Sequence, residues 1–82
     1  MDQTILDSVC RIVSNLMRVP LDQINKSSSP TTIQYWDSLQ HLNLVLSLEE
    51  AFGLQFSPEE TVQLLNVETI VLLVEEKKNH KD

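Results

Sequence analysis

Residues 36–53 read WDSLQHLNLVLSLEEAFG, and this stretch decides the fold because it predicts one helix with both ends marked. Asp37 is a good N-cap, since its carboxylate can accept hydrogen bonds from first-turn amides that have no partner within the helix. Gly53 supplies the left-handed residue with which helices commonly end. The stretch therefore predicts a helix from Ser38 to Phe52.

Ser38 is the first residue of this predicted helix and lies at the positive end of its dipole. A phosphate attached there would meet backbone N–H groups of the first turn and a favourable electric field. Ser38 is thus a physically suitable attachment point for a phosphodiester.

The predicted helix carries two apolar arcs when its residues are placed at about 100° intervals. One arc is uncharged, ends on an aromatic residue and is assigned to the core: Leu44, Val45, Leu48 and Phe52. The other lies beside Ser38 and consists of Leu39, Leu42 and Leu46, which we call the docking face. Polar residues flank it, namely Asn43, Glu49 and Glu50. Exposed leucines beside a reactive serine indicate contact with partner proteins, although burial is an equally good alternative for Leu42 and Leu46.

Length and composition limit the class of protein. Eighty-two residues, 41% of them hydrophobic, suffice for a single domain over residues 1–82 with a modest core. The net charge is −6, and residues 19–76 hold nine acids and one base, Lys26. Such an acidic body repels nucleic acids and anionic membranes and favours basic protein partners. No secretory or membrane-spanning segment is predicted, so we expect a cytoplasmic protein.

Three further helices are predicted around the central one. Residues 2–18 form an amphipathic helix without a misplaced residue. Ser57 and Glu60 predict a capping box, and the helix they open must be short because Asn66 caps a fourth. The fourth helix carries an apolar stripe of Val67, Ile70, Val71 and Val74, and we expect residues 80–82 to fray after it. The predicted fold class is all-α, a four-helix bundle with three longer helices and one short.

A long loop joins the first two predicted helices over residues 19–36. Pro20 prevents helical continuation, and residues 27–29 are interpreted as simply flexible. Four apolar residues are spaced to pin the loop against the helices: Leu21, Ile24, Ile33 and Trp36. The loop would thereby present Asp37 and Ser38 at one end of the bundle.

The chain resembles acyl carrier proteins over nearly its full length. The motifs that carry the resemblance are Asp37-Ser38-Leu39 at a helix start, Leu48-Glu49-Glu50-x-Phe52-Gly53 at the end of the same helix, and Phe56-Ser57-Pro58-Glu59-Glu60 before the terminal helix. The resemblance implies that Ser38 receives a 4′-phosphopantetheine arm from coenzyme A, with Asp37 and Leu39 beside it. A phosphopantetheinyl transferase would install this arm with Mg²⁺.

The resemblance also implies a carrier and not an enzyme. The arm would hold an acyl group as a thioester and deliver it to acyl-loading, condensing or acyl-transfer enzymes of fatty-acid, polyketide or related biosynthesis. Partner contacts would fall on Leu39, Leu42, Asn43, Leu46, Glu49 and Glu50, and a monomer is expected. Because the arm is common to all such carriers, an aminoacyl or peptidyl cargo stays open. A helical interaction module that never receives the arm is a further alternative.

The chain departs from the family pattern at three places. Tyr35 stands where a glycine is frequent, Gln40 and Asn43 where acids are frequent, and Ala51 where a glutamate is frequent. Fewer charges near the serine predict weaker salt-dependent steering by basic partners. This indicates a specialised pathway, such as polyketide, lipid-modifying or peptide synthesis.

A hydrolase is the enzymatic alternative, because Asp37, Ser38 and His41 place an acid, a nucleophile and a base within one helical turn. At adjacent helical positions such side chains splay, and no glycine-rich turn is available for an oxyanion hole. We therefore expect His41 to be a structural histidine. Metal binding is not expected, since the chain has one cysteine, two distant histidines and no EF-hand loop. The cysteine, Cys10, is expected to be a small packing residue.

Overall fold

The computed structural model describes residues 2–79, and these residues form helices joined by loops. In chain order they are α1 (Gln3–Met17), a 3₁₀ turn (Leu21–Gln23), α2 (Ser38–Phe52), α3 (Pro58–Thr61) and α4 (Val67–Asn79). The described part of the chain contains no strand. The predicted all-α bundle with three longer helices and one short is confirmed. The expected fraying of residues 80–82 lies outside the described residues.

Two capping residues outside the helical pattern determine the ends of α1. The Asp2 carboxylate accepts hydrogen bonds from the N–H groups of Thr4 and Ile5. Arg18 ends the helix in a left-handed conformation with φ 58°, and its N–H donates to the Ser14 carbonyl. The predicted helix over residues 2–18 therefore included both caps, whose backbone angles are not helical.

The core lies where α1 packs against α2 and α4. Most of its buried residues come from one stripe of each of these helices: Ile5, Val9, Val13 and Met17 of α1, Leu44, Val45 and Leu48 of α2, and Val67, Ile70, Val71 and Val74 of α4. Phe52, also predicted for the core, is half-buried and packs against these residues. Each large side chain buried in this way contributes roughly 1.5–3 kcal/mol. The core therefore places α2 with one arc inward and the docking face outward.

The long loop is hydrogen-bonded to the start of α4. Ser28 is 4% exposed, its hydroxyl accepts a bond from the Asn25 N–H, and its carbonyl accepts a bond from the Val67 N–H at 3.0 Å. The Lys26 carbonyl accepts a bond from the Glu68 N–H. The interpretation of residues 27–29 as simply flexible was wrong for Ser28. The first N–H groups of a helix need acceptors from outside it, and here the loop supplies them.

Three of the four predicted loop anchors are buried, namely Ile24, Ile33 and Trp36. The prediction for Leu21 was wrong, because this side chain is 44% exposed. Leu21 begins the 3₁₀ turn, which lies on the surface and buries none of its three side chains. A short 3₁₀ turn has no apolar period of its own by which the sequence would reveal it.

The ends of α2 and α3 follow the predicted signals. Gly53 adopts a left-handed conformation with φ 64° at the end of α2. Ser57 and Glu60 form the predicted capping box at the start of α3. Glu60 also pairs with Lys77 of α4, with 2.8 Å between the carboxylate oxygen and Nζ. The Asn66 side chain accepts a bond from the backbone of the first turn of α4, as predicted for a cap. The one-turn helix α3 is thus joined to α4 by an ion pair.

Candidate functional site

Asp37 and Ser38 begin α2 as the sequence predicts. The Asp37 carboxylate accepts a hydrogen bond from the Gln40 N–H at 2.9 Å, and the Asp37 carbonyl accepts one from the His41 N–H at 2.8 Å. Asp37 has an extended backbone, as N-caps do. Ser38 is the first helical residue, and it is exposed.

The surroundings of Ser38 fit a bulky phosphodiester. The residue is at the N-terminal end of a helix of 15 residues, where the backbone N–H groups and the dipole favour a negative group. Ser38 also borders a partly open groove of about 500 Å³. A group joined to its hydroxyl therefore has both solvent and groove within reach.

The groove beside Ser38 is formed by the end of the long loop, the start of α2 and the segment around the end of α3. Its lining, apart from Asp37 and Ser38, consists of Pro30, Trp36, His41, Val62, Leu64 and Leu65. No site was predicted from the sequence for Val62, Leu64 and Leu65. The sequence does contain one sign of this groove: these three apolar residues lie between the short α3 and the cap at Asn66 and belong to no apolar stripe of a helix.

His41 is a structural histidine, as expected, and both of its ring nitrogens have partners other than Ser38. The Trp36 indole N–H donates to His41 Nδ1 at 3.0 Å. His41 Nε2 lies 3.0 Å from the Thr61 carbonyl oxygen. A general base would need one of these nitrogens to be hydrogen-bonded to the Ser38 hydroxyl. The arrangement of Asp37, Ser38 and His41 therefore does not form a catalytic triad.

The three leucines of the docking face are exposed. The exposed fractions are 68% for Leu39, 57% for Leu42 and 63% for Leu46. The alternative of burial for Leu42 and Leu46 is thereby excluded. Spacings of three and four residues align the three side chains along one side of α2, beginning next to Ser38. Contiguous exposed apolar side chains are typical of protein-binding surfaces.

The polar residues near the docking face differ in what they contact. Glu50 is exposed, and Asn43 is exposed with its amide donating to Gln40 Oε1. The Glu49 carboxylate accepts a hydrogen bond from the Phe56 N–H at 2.9 Å, so it holds the turn after α2. Gln40 Nε2 donates to the Leu16 carbonyl of α1. Glu49 and Gln40 thus have contacts within the protein that a helical wheel does not reveal.

Cys10 is half-buried and packs against the core. Burial raises the pKa of its thiol, and the nearby Asp7 carboxylate raises it further. The thiol is therefore protonated at neutral pH and a poor nucleophile, in keeping with a packing role. Among residues 2–79, no cluster of three or more His, Cys, Asp or Glu side chains is arranged to hold a metal ion. Every helix in these residues is too short or too polar to span a lipid bilayer.

Comparisons with known proteins identify the family. No family model matches the chain. An acyl carrier protein of Prochlorococcus marinus is 33% identical over 76 residues, which are 93% of this chain and 95% of that protein. An acyl carrier protein of Cyanidioschyzon merolae is 33% identical over 79 residues, which are 95% of this chain and 87% of that protein. An acyl carrier protein of Guillardia theta is 28% identical over 76 residues. With this similarity over most of both chains and a matching all-helical fold, the chain belongs to the acyl carrier protein family, whose members are carriers and not enzymes.

Proposed function

We propose that this chain carries acyl intermediates as thioesters on a 4′-phosphopantetheine arm attached to Ser38. It would deliver them to partner enzymes of fatty-acid, polyketide or related biosynthesis. The observation that carries the proposal is the exposed Ser38 at the first position of α2, directly after the N-cap Asp37. The cap, the serine and the helix follow one another along the chain, as the resemblance to the family implies for the serine that bears the arm.

The residues around Ser38 have distinct parts in this proposal. Ser38 would hold the arm through its hydroxyl oxygen, which would bond to phosphorus in place of the nucleotide part of coenzyme A; the bond from phosphorus to that nucleotide would break, and the hydroxyl proton would be released. Asp37 holds the start of α2 in place through the Gln40 N–H and provides a negative charge next to the hydroxyl. When bound, the arm supplies a terminal thiol to which the acyl group is joined.

The docking face supports delivery of the cargo. Its three leucines offer an apolar surface next to the attachment point, with Asn43, Glu49 and Glu50 at its edge. The partners proposed for this surface are a phosphopantetheinyl transferase and the acyl-loading, condensing or acyl-transfer enzymes. The carrier is proposed to meet each of them as a monomer.

The neutral side chains of Gln40 and Asn43 support a specialised pathway, such as polyketide, lipid-modifying or peptide synthesis. With fewer carboxylates beside Ser38, electrostatic steering toward a basic partner is weaker. Asn43→Glu is the better test of this idea, because Asn43 is exposed and loses only its bond to the Gln40 side chain, whereas any acid at position 40 removes the bond to Leu16 of α1. If Asn43→Glu does not increase the salt-dependent affinity for a fatty-acid ketosynthase, the idea is wrong.

Enzymatic loading followed by intact-mass measurement tests the function. The protein is incubated with coenzyme A, Mg²⁺ and a broad-specificity phosphopantetheinyl transferase, and a mass increase of one 4′-phosphopantetheine is expected. Ser38→Ala should abolish the increase. Ser27→Ala is the matched control, because Ser27 is also an exposed serine but lies in the long loop.

The loading experiment, followed by a charging reaction, separates the proposed acyl carrier from its two alternatives. An unchanged mass with several transferases would favour a helical interaction module that never receives the arm. A loaded protein that is charged by an adenylating enzyme with an amino acid, and not with an acyl group, would favour an aminoacyl or peptidyl carrier.

A further inference from the structure

Trp36 and His41 form a hydrogen-bonded pair in the groove beside Ser38. The Trp36 side chain is 3% exposed, and its Nε1–H donates to His41 Nδ1 at 3.0 Å. The planes of the two rings are inclined by 22°, and their centroids are 6.3 Å apart. His41 Nε2 lies 3.0 Å from the carbonyl oxygen of Thr61.

These contacts determine which ring nitrogen of His41 carries the hydrogen. An indole N–H can only donate, so His41 Nδ1 is the acceptor. His41 Nε2 then carries the hydrogen and donates it to the Thr61 carbonyl. One chain of hydrogen bonds therefore joins the end of the long loop, the first turn of α2 and the last residue of α3.

The groove has a buried floor and an exposed rim. Trp36 and Leu64 are 3% and 1% exposed, and half-buried His41 completes this floor. Val62 and Leu65 form the rim, with exposed fractions of 71% and 64%. A group attached to Ser38 that enters the groove therefore meets apolar side chains at the rim and a hydrogen-bonded pair of rings at the floor.

We propose that the Trp36–His41 pair closes the route from Ser38 into the bundle and thereby limits the cargo to short or polar acyl groups held at the surface. The inference rests on the proposed function, because it requires an arm on Ser38. Trp36 and His41 are specificity-determining residues in this view, and neither is a catalytic residue.

The physical reason lies in what a long alkyl chain would displace. To pass between α2 and α3 at this point, it must separate the Trp36 indole from His41 and His41 from the Thr61 carbonyl. Those polar atoms would then lie against an alkyl chain, which offers no hydrogen bond in return. A short or polar group can stay at the rim of the groove without breaking either contact.

The test compares carriers loaded with different chain lengths. Coenzyme A analogues that carry acetyl or dodecanoyl groups through non-hydrolysable amides are transferred to Ser38, and thermal unfolding is measured. For the wild-type protein we expect the two Tm values to differ by less than about 2 °C. The NMR signal of the indole N–H, which belongs to the only tryptophan, should have the same position in both forms. A larger rise in Tm, or a displaced indole signal with the dodecanoyl chain, overturns the proposal.

Variants show whether the pair is responsible. In His41→Ala, which removes the centre of the hydrogen-bonded chain, the dodecanoyl form should melt at a higher temperature than the acetyl form. Leu72→Ala is the control, since Leu72 is an exposed leucine of α4 that neither lines the groove nor belongs to the docking face, and it should behave as the wild type. If a folded His41→Ala shows no dependence on chain length, the pair is not the barrier. Trp36→Phe replaces His41→Ala if that variant does not fold.

Intact mass separates failure of this inference from failure of the proposed function. A protein that gains no mass on loading refutes the attachment of an arm at Ser38. If the protein gains the expected mass but is stabilised by the longer chain, only the proposal that the Trp36–His41 pair closes the route into the bundle is refuted.

Discussion

At the scale of single residues, the start of α2 depends on Asp37, whose carboxylate accepts the Gln40 N–H. Asparagine caps a helix about as well as aspartate, whereas alanine in place of a cap costs about 1 kcal/mol. Exchanging Asp37 for each of these residues therefore separates its contribution to folding from its proposed part in loading.

We predict that Asp37→Asn leaves the free energy of unfolding nearly unchanged and lowers kcat/KM for loading of the arm by about tenfold. Tenfold corresponds to the loss of roughly one hydrogen bond to a charged group. Asp37→Ala should lose a similar factor in loading and, in addition, about 1 kcal/mol of stability. Urea unfolding and a time course of intact mass measure the two effects. Loading of Asp37→Asn at the wild-type rate would contradict a role for the charge.

Gln40 makes a contact that an acid at the same position could not make. Its Nε2 donates to the Leu16 carbonyl at 3.0 Å and so joins α2 to the end of α1. We predict that Gln40→Glu destabilises the protein by about 1 kcal/mol, because a carboxylate cannot donate to that carbonyl. Asn43→Glu, one turn further along the surface, loses only an exposed bond to the Gln40 side chain and should change stability by less than about 0.5 kcal/mol. Equal destabilisation by both substitutions would show that added charge, and not the lost bond, is the cause.

At the scale of elements, the long loop is an ordered strap and not a flexible connection, because its backbone provides acceptors for the first turn of α4. Ser28 is the centre of this contact, since its hydroxyl accepts from the Asn25 N–H while its carbonyl accepts from the Val67 N–H. We predict that Ser28→Ala lowers the free energy of unfolding by about 1 kcal/mol, because the part-buried Asn25 N–H loses its partner. Ser27→Ala, at the exposed neighbour, should have no measurable effect in the same chemical denaturation experiment.

The one-turn helix α3 is too short to be stable alone and depends on contacts to its neighbours. A hydrogen bond from Lys77 and one from the Ser57 N–H lower the pKa of Glu60 below its ordinary value of 4.5. Lys77 also lies over the Phe56 ring, 5.6 Å from its centroid. The charge on Glu60 therefore stabilises the folded state above the pKa of the unfolded chain, and this contribution is lost as the pH falls through the lower folded value.

We accordingly predict that Glu60→Gln destabilises the protein near neutral pH by no more than about 0.5 kcal/mol, as expected for an ion pair close to solvent. The difference from the wild type should shrink as the pH falls below 4.5. Denaturation curves at several pH values measure it. Glu59→Gln removes one negative charge from the same turn without touching the ion pair and serves as the control. Because glutamine can still accept the Ser57 N–H, a difference that persists in acid would mean that the charge of Glu60 is not the cause.

At the scale of the whole molecule, the bundle places Ser38, the groove and the docking face beside one another, while the other arc of α2 packs into the core. The protein carries a net charge of −6, so an apolar docking face within an acidic surface suits partners whose apolar sites have basic surroundings. Affinity for such partners should come from the leucines, and the rate of encounter from the charges.

We predict that Leu46→Ala weakens binding of the loaded protein to a condensing enzyme by about tenfold and leaves Tm unchanged. A side chain that is 63% exposed adds little to the core but can fill a pocket on a partner. Leu72→Ala is the matched control, because Leu72 is an exposed leucine on α4, away from the docking face. Titration calorimetry measures both affinities. Equal losses at Leu46 and Leu72 would contradict a specific docking face.

Local signals in the sequence were sufficient to predict the helices and most of their caps. Asp37, Gly53, Ser57 and Asn66 mark helix ends within a few residues of the groups they bond, so the chain reveals them without a fold. The apolar arcs likewise follow from the helical period alone. For the same reason Ser38 was recognisable as a candidate attachment site at the first position of a helix.

Contacts between residues distant in the chain were decided only by the tertiary structure. The bonds from Gln40 to Leu16, from Val67 to Ser28 and from His41 to Thr61 each join segments about 20 or more residues apart. No local propensity encodes them, because they form only after packing has brought the helices together. The sequence alone thus determined which serine begins a capped helix. Packing of α3 and the long loop against α2 decided what surrounds that residue, since a groove exists only between elements already in contact.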